Sequence, residues 1–312
     1  MKPDPASIGF PFSFIPLVRC THDGGELEAQ PGFLAVPGDA GSIRAGRLAC
    51  VTCAATYFID DGILNLIDET RLDEGSAAEQ RQRNLDCQKA KAPATDSERV
   101  TNDMEMTSTL AALPIADEDC VLELGCGEGR YTVALAGRGK LVAVDFSIEL
   151  LRILRDRLPA GTRHVGLVLG DINTLQVAPK QFRLGLSTLT SNLPSREHRE
   201  SLYRLARTAL APHGRFVFST HFHGIRQRMA GEVKSGHYRA GGIYRYHFDL
   251  RELVEELHPH FSRIDVHPMQ IHLPLFRTLR LPAVRISRLV ERVPILNAFG
   301  SLLLAKAEAP RG

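Results

Sequence analysis

The stretch Val121-Leu122-Glu123-Leu124-Gly125-Cys126-Gly127-Glu128-Gly129-Arg130 decides how this chain folds. Its largely apolar first part predicts a buried strand, and the glycines that follow predict a tight turn leading into a helix near Arg130. Glycines at 125, 127 and 129 let the backbone pass close to a ligand, because no Cβ stands in the way. The stretch therefore predicts a strand, a ligand-binding turn and a helix in succession.

Strands and helices are predicted to alternate after this turn. Apolar runs at 120–124, 140–145, 164–169, 182–189 and 214–220 are separated by helical patterns at 130–138, 147–158 and 195–211. This alternation is typical of βαβ units, which form a parallel sheet, and later apolar runs near 262–267 and 300–306 can complete that sheet. Ser147 and Ser195 mark two of the helix starts. We therefore predict an α/β fold.

Acidic residues end two of the later strands: Asp145 in LVAVDFS and Asp171 in VGLVLGDIN. Ligands of open α/β sheets bind at the carboxyl ends of the strands, so two acids flanking a glycine turn predict a nucleoside pocket. The pattern disfavours NAD, because Arg130 stands where NAD enzymes keep their last glycine. Glu123 would also share space with a pyrophosphate, which a helix N-terminus normally binds without a carboxylate nearby.

The pattern E-x-G-x-G-x-G, with Asp145 following 20 residues after Gly125 and a Gly-Asp pair after the third strand, resembles the class I S-adenosylmethionine (SAM)-dependent methyltransferases. The resemblance covers about residues 110–308 and implies a Rossmann-like, seven-stranded methyltransferase sheet with helices on both faces. It implies that Asp145 holds both ribose hydroxyls and that Asp171 accepts a hydrogen bond from the adenine amino group. The implied cofactor-binding residues are Glu123 near the methionine end, Gly125, Cys126 as a small buried filler, Gly127, Gly129, Asp145, Phe146, Asp171, Ile172 against the ring, and Ser187.

The methyl acceptor is expected beside the ends of the strands near Asn192 and His223, next to an insertion at 224–247 that is rich in arginine and tyrosine. The candidate acceptor-binding residues are Asn192, Arg226, Tyr244, Tyr246 and His247. His221 or His223 is a candidate general base, because histidine titrates near neutral pH. Proximity and alignment alone can also suffice for a methyl transfer, and that alternative stays open. Leu193-Pro194 follows Asn192 in place of the Pro-Pro-aromatic sequence typical of amino methylation of nucleic acid bases.

Residues 1–68 predict a small β-rich unit with cysteines at metal-ligand spacing. Cys50 and Cys53 form a C-x2-C knuckle, Cys20 offers a third thiolate, and Asp23 or His22 offers a fourth ligand. Four such ligands predict a structural zinc site, and the alternative is a ribbon that keeps its shape by packing without metal. Cys20, the knuckle and the stretch 57–66 (YFIDDGILNL) resemble the Trm112-like zinc-ribbon domain found ahead of some methyltransferases, although Asp23 stands where that family commonly has its second cysteine.

Three further segments complete the predicted organisation. Residues 69–99 predict a polar, solvated helix and linker, and the methyltransferase domain is expected to span 100–312 with acceptor insertions at 224–247 and 272–294. Residues 100–113 predict a helix that packs on the sheet or covers the cofactor. From residue 283 a basic amphipathic helix is predicted, which packs on its own domain, covers the acceptor, pairs two subunits in a homodimer or touches a membrane surface.

Composition narrows the function without naming the acceptor. The 312 residues are 44% hydrophobic and 24% charged, as in an ordinary globular protein, and six cysteines do not make a disulfide scaffold. Without a long apolar run or a cationic leader, the expected location is cytoplasmic. We expect SAM-dependent methylation of oxygen or nitrogen in a small molecule or modified peptide, because the N-terminal segment is acidic. RNA base methylation and a partner-dependent or non-catalytic SAM-binding scaffold stay open as alternatives.

Overall fold

A computed structural model describes residues 8–68, 70, 72, 74–90, 95–190, 195–237, 244–272 and 282–311. The strands are β1 Phe10–Pro11, β2 Leu27–Ala29, β3 Leu34–Val36, β4 Asp39–Cys50, β5 Thr56–Asp60, β6 Ile63–Asn65, β7 Cys120–Leu124, β8 Lys140–Asp145, β9 Val165–Leu169, β10 Phe182–Thr188, β11 Leu210–Phe222, β12 Ser235–His237, β13 Tyr244–Phe248, β14 Phe261–Ile271 and β15 Gly300–Pro310. The helices are α1 Glu74–Ala90, α2 Asp96–Ala111, α3 Arg130–Leu135, α4 Ile148–Arg157, α5 Arg196–Ala209, α6 Ile225–Met229, α7 Leu250–Leu257 and α8 Ala283–Val290, with short 3₁₀ turns at Phe12–Leu17 and Asn297–Phe299.

Seven strands form the central sheet in the order β9-β8-β7-β10-β11-β15-β14. The first five pair in parallel, whereas β15 runs antiparallel between β11 and β14. Burial on both faces explains why these strands appear in the sequence as continuous apolar runs. The predicted α/β fold with a Rossmann-like seven-stranded sheet is confirmed, and the two late apolar runs do complete it.

The predicted helix caps at Ser147 and Ser195 are confirmed. The Ser147 hydroxyl accepts a hydrogen bond from the Leu150 amide at 3.3 Å, and the Ser195 hydroxyl accepts one from the His198 amide at 3.2 Å. Each cap satisfies one of the amides that a helix start leaves without an intrahelical partner. The caps fix where α4 and α5 leave the sheet.

The N-terminal region is joined to the central sheet. β6 pairs in parallel with β9, and β5 and β4 follow it in antiparallel order. Gly166 in β9 lies so close to Phe14 that a Cβ there would stand 2.8 Å from the ring. Packing therefore continues from the methyltransferase-like sheet into the N-terminal strands, while the boundaries at residues 68 and 99 stay predictions.

Two helices between the N-terminal region and β7 lie against the carboxyl edge of the sheet. α1, expected to be solvated, packs against α4 and donates a hydrogen bond from Gln80 to the Phe146 carbonyl at 3.1 Å. α2 packs against α8 and β14 and buries Met104. The polar helix α1 thus contributes to packing through the side-chain amide of Gln80. Within the described ranges no helix has the length and apolarity needed to cross a membrane.

Candidate functional site

The three glycines of the turn after β7 serve different purposes. All three have positive φ, at 76° for Gly125, 55° for Gly127 and 81° for Gly129. A Cβ on Gly129 would stand 2.0 Å from Leu154 Cδ1, so this glycine allows α3 to pack closely on α4. A Cβ on Gly127 would meet no heavy atom within 4 Å, so the backbone there is open to a ligand. The turn therefore combines one packing glycine with one ligand-facing glycine.

Asp145 at the end of β8 faces this turn. Its Oδ2 accepts a hydrogen bond from the Gly127 amide at 2.7 Å, and its Oδ1 accepts one from the Ser147 amide at 2.9 Å. Burial raises the pKa of this carboxyl, and the hydrogen bonds from the backbone and the charge of Arg83 on α1 oppose that shift. An ionised carboxylate has about four acceptor positions, so two remain for hydroxyl groups of a ligand. The turn and the acid are thus preassembled.

Glu123 lies inside β7 directly below the turn. It is 2% exposed, and its Oε2 accepts a hydrogen bond from the Thr132 hydroxyl at 2.7 Å. Burial raises the pKa of Glu123 to about 8, so the group holds a proton at neutral pH in this structure. A cation bound nearby would favour the ionised form. The carboxyl groups of Glu123 and Asp145 beside the turn therefore suit a cationic ligand better than a pyrophosphate.

Asp171 follows β9 at the same edge. It is 7% exposed, and its Oδ1 accepts hydrogen bonds from the amide and the side chain of Asn173 at 2.9 and 3.0 Å. The Gly170 amide donates to the Asp145 carbonyl at 3.0 Å, which fixes the spacing of the two strand ends. Ile172 is half-buried against the core. Asp145 and Asp171 thus lie on adjacent strand ends, as the sequence predicts.

The other predicted cofactor residues lie around the turn. Cys126 is buried, and its burial raises the pKa of the thiol well above its usual range, in keeping with a neutral filler. Ser187 donates to the Leu124 carbonyl at 2.8 Å and so ties β10 to the start of the turn. Phe146 is half-buried beneath α1.

Several residues near the turn have roles that the sequence did not suggest. Glu105 on α2 is 1% exposed and forms an ion pair with Arg130 at 2.6 Å, while its second oxygen accepts a hydrogen bond from Ser219 at 3.0 Å. This carboxylate therefore connects the glycine turn to the end of β11. Asn84 on α1 accepts from the Ser147 hydroxyl at 2.6 Å. For Glu105, the only signal in the sequence is an acidic residue between the apolar residues Met104 and Met106.

The candidate bases lie together with a third histidine. The His221 and His247 rings have centroids 5.1 Å apart, and His223 stacks on His247 at 6.4 Å. Burial, aided by the charges of Arg245 and His247, lowers the pKa of His221 to about 3, so its ring stays neutral at pH 7. Nε2 of His223 donates to the Glu232 carbonyl at 3.0 Å. A group with the pKa of His221 is a weak base at neutral pH.

The predicted acceptor-binding residues differ in how their side chains are held. Tyr246 donates to Glu252, and its ring lies 4.2 Å from the guanidinium carbon of Arg199. Arg226 is exposed and donates to the Ser301 hydroxyl at 3.2 Å, while Tyr244 and His247 are half-buried. Asn192 lies outside the described residues.

A buried ion pair lies on the side of the site where the acceptor-binding residues are predicted. Arg199 on α5 binds both carboxylate oxygens of Glu256 on α7, at 3.1 and 2.7 Å, and Tyr203 donates to the same carboxylate at 3.2 Å. A small cavity of about 10 Å³ adjoins this pair and reaches Ser219 and Thr220, which is room for about one water molecule. The predicted acceptor side is therefore held by charged side chains from separate elements.

The N-terminal region brings together four residues with metal-ligand chemistry. The ligand atoms of Cys20, Asp23, Cys50 and Cys53 all lie within 4.8 Å of one another. Cys20 Sγ is 3.5 Å from Cys53 Sγ, and Cys50 Sγ is 3.4 Å from an Asp23 oxygen. Tetrahedral zinc ligands stand about 3.5–3.8 Å apart at normal bond lengths, so the cluster could hold a zinc ion. His22 instead contacts Asp68 at 3.1 Å.

The two turns that carry this cluster have the same backbone geometry. The Gly24 amide donates to the Cys20 carbonyl at 2.9 Å, and the Ala54 amide donates to the Cys50 carbonyl at 3.1 Å. Both donor residues have positive φ, 77° for Gly24 and 61° for Ala54. A Cβ on Gly25 would stand 2.7 Å from Cys50 Sγ, so that glycine is needed for the turns to meet. Asp23 thus occupies the position equivalent to Cys53.

Comparisons with known proteins agree with this geometry. Residues 121–214 match the family described as "Methyltransferase domain". The chain is 33% identical over 99 residues to a probable ribosomal RNA small subunit methyltransferase A of Methanosarcina mazei. The aligned residues cover 31% of this chain and 34% of that protein. It is 46% identical over 66 residues to the magnesium-protoporphyrin O-methyltransferase of Rhodobacter capsulatus. The aligned residues cover 20% of this chain and 30% of that protein. The chain therefore spans about a third of the length of these two relatives.

Among solved structures, phosphoethanolamine N-methyltransferase 1 of Haemonchus contortus, in complex with phosphoethanolamine and S-adenosylhomocysteine, is similar in fold. The TM-score is 0.53 at 15% identity, and the match covers 79% of this chain and 52% of that one. Its low identity makes this a likeness of fold alone. Residues 121–214 thus match a methyltransferase domain, and the sheet that carries them has a Rossmann-like methyltransferase fold.

Proposed function

We propose that the chain is a SAM-dependent methyltransferase whose acceptor is a small molecule or a modified peptide, methylated on oxygen or nitrogen. The observation that carries the proposal is the open Gly127 backbone held 2.7 Å from the buried Asp145 carboxylate. Gly127 offers a backbone surface that no side chain covers. Next to it, the Asp145 carboxylate can accept hydrogen bonds from hydroxyl groups of a ligand. The matched domain family and the SAM-type fold support the same activity.

The residues of the site fit the parts of SAM. Bound SAM supplies an activated methyl group on a sulfonium. Asp145 would accept both ribose hydroxyls, Asp171 would accept from the adenine amino group, and Ile172 would pack on the ring. The cationic methionine end would lie near Glu123, where a positive charge opposes the raised pKa of that carboxyl. Gly125 and Gly127 would line the backbone side, and α1 would shield the ribose end from water.

On the acceptor side the chain would orient the substrate and accept a proton. Arg226, Tyr244 and His247 are the proposed contacts, whereas Tyr246 is better suited to supporting α5 and α7. His223 is the better candidate base, because the pKa of His221 is low. We expect His223→Ala to slow methyl transfer, and His221→Ala to slow it less. Equal, small effects of both changes would favour alignment alone.

RNA methylation is the second candidate, because one relative is a probable rRNA methyltransferase. Opposing it, the N-terminal segment 1–68 contains four basic side chains against eight acidic ones, whereas phosphate binding favours positive charge. Supplying SAM labelled in its methyl group to a fractionated host extract separates the candidates. We expect label in the small-molecule or peptide fraction, and label confined to RNA would overturn that preference.

We also propose that Cys20, Asp23, Cys50 and Cys53 bind one structural zinc ion. Elemental analysis of protein purified without chelator should give about one zinc per chain, as expected for four ligands in one tetrahedron. Asp23→Ala should lower the zinc content, whereas His22→Ala should not, because His22 lies against Asp68. A metal-free wild-type chain with an intact fold would instead support a ribbon that packs without metal.

A further inference from the structure

One surface at the carboxyl edge of the sheet combines exposed arginines with exposed aliphatic side chains. On α8 and the turn after it, the exposed residues are Arg285, Arg288, Leu289, Arg292 and Val293. This spacing places them on one helical face. The opposite face is buried: the Ser287 hydroxyl accepts from the Ile271 amide at 2.9 Å, and Glu291 accepts from Ser108 at 2.6 Å. The exposed face is thus well defined by the packing of the other.

A second exposed apolar segment lies next to it. α6 packs against the 3₁₀ turn Asn297–Phe299, and a Cβ on Gly224 would stand 3.1 Å from the Ala298 carbonyl. Met229 is 81% exposed and Ile295 is 82% exposed. We call the outer face of residues 285–295, together with α6, the basic apolar face. Water surrounds large aliphatic groups here, which is unfavourable unless something covers them.

The charge of the basic apolar face is positive. Arg292 pairs with Asp265 at 2.8 Å, and Arg228 of α6 pairs with Asp249. Across the described ranges, Arg285 and Arg288 have no carboxylate within ion-pair distance. The face therefore has two arginines without a salt bridge to any described residue beside its exposed aliphatic groups, although the Arg288 charge interacts with the carboxyl of Glu291. Cationic and aliphatic side chains on one face are the composition of helices that lie in the headgroup region of a membrane.

The face also lies beside the proposed acceptor side. α6 begins just after the end of β11, and the start of β15 is in register with that end, with His221 opposite Leu302. The glycine turn lies at the same carboxyl edge of the sheet. A surface that bound here would therefore lie next to the mouth of the site.

We propose that the basic apolar face docks on an anionic phospholipid bilayer. Leu289, Met229 and Ile295 would enter the boundary between headgroups and acyl chains, where their apolar area leaves water. Arg285 and Arg288 would keep their guanidinium groups among the lipid phosphates while their stems pack alongside. RNA would bind the arginines but would gain nothing from the aliphatic groups. The consequence, which rests on the proposed methyl transfer, is that the acceptor is an amphiphile held at the bilayer surface.

Vesicle sedimentation with the full chain tests this inference. Binding is expected to phosphatidylcholine vesicles that contain phosphatidylglycerol, and to weaken with salt and without the anionic lipid. The double variant Leu289→Glu, Ile295→Glu should abolish binding. Leu34→Glu is the matched control, since Leu34 is 65% exposed on β3 and should bind as wild type. Arg285→Glu with Arg288→Glu should weaken binding by about tenfold or more, as two reversed charges imply.

Three results would overturn the inference: no binding to anionic vesicles, unchanged binding of the Leu289→Glu, Ile295→Glu variant, or loss of a wild-type dimer in that variant as measured by analytical ultracentrifugation. The last result would assign the face to a second copy of this chain. Circular dichroism checks that the variants fold, and calorimetry with SAM checks the cofactor site separately. Because vesicle binding is measured without SAM, the docking inference and the proposed activity can each fail alone.

Discussion

The proposed cofactor side and the proposed acceptor side of the sheet edge are held together in different ways. On the cofactor side the key contacts join backbone amides to neighbouring strand ends, as in the 2.7 Å bond from Gly127 to Asp145. On the acceptor side, side chains far apart in sequence carry the structure, as in the pair of Arg199 with Glu256. A glycine turn specifies the first kind of site locally, whereas the second depends on how α5 and α7 meet.

The largest expected effect comes from breaking the buried pair on the acceptor side. Arg199→Ala leaves the Glu256 carboxylate buried without its partner, so we expect a loss of about 3–5 kcal/mol in the free energy of unfolding. Chemical denaturation measures this loss. The double variant Arg199→Met, Glu256→Leu removes both charges and should lose much less, because no uncompensated charge remains. An Arg199→Ala variant as stable as wild type would refute the contrast between the two sides.

A smaller effect is expected from the packing glycine on the cofactor side. Gly129→Ala introduces a Cβ 2.0 Å from Leu154 at a φ of 81°, which predicts a loss of about 2–4 kcal/mol in stability. Gly127→Ala is its matched control, because no heavy atom lies within 4 Å, and it should lose only roughly 1–2 kcal/mol from its backbone strain. Thermal unfolding distinguishes the two, and SAM affinity should fall in Gly127→Ala beyond what its small loss of stability implies. Equal losses of stability would contradict the separate roles assigned to these glycines.

The smallest effect, counted per pH unit, is a pH dependence of stability from Glu123. Because its pKa is raised to about 8 by burial, the folded chain keeps a proton that the unfolded chain releases above its ordinary pKa near 4.5. Stability should therefore fall as pH rises between these values, by up to about 1.4 kcal/mol per pH unit from this group. Glu123→Gln removes this contribution, so its stability relative to wild type should increase from pH 5 to pH 8. A constant difference between the two proteins would show that Glu123 is ionised in the fold.

The same contrast explains what the sequence could predict. The strand ends with Gly125, Asp145 and Asp171 lie where the pattern placed them, because apolar runs and glycines act locally. The turn that carries Cys20 and the knuckle of Cys50 and Cys53 also lie together, as their spacing predicts.

Other features depended on tertiary packing. The contacts of Tyr246 with Arg199 and Glu252 form a network that no sequence period marks, and its role toward the acceptor stays a prediction. The polarity of α1 gives no apolar stripe and predicts a solvated helix, whereas Gln80 and Asn84 contact the strand-end loop through their amide groups. The pairing of β6 with β9 likewise joins segments about a hundred residues apart in sequence.

The most direct test of the central claim is isothermal titration of the full chain with SAM, comparing wild type, Asp145→Asn and the control Asp117→Asn. Asp117 is exposed and lies outside the turn, so its change should leave affinity unaltered. We predict that wild type binds SAM at one site and that Asp145→Asn weakens binding by at least about tenfold, as expected for charge-assisted hydrogen bonds. A folded wild-type chain that releases no heat with SAM or S-adenosylhomocysteine at several temperatures, or an Asp145→Asn variant that binds as tightly as wild type, would contradict the account.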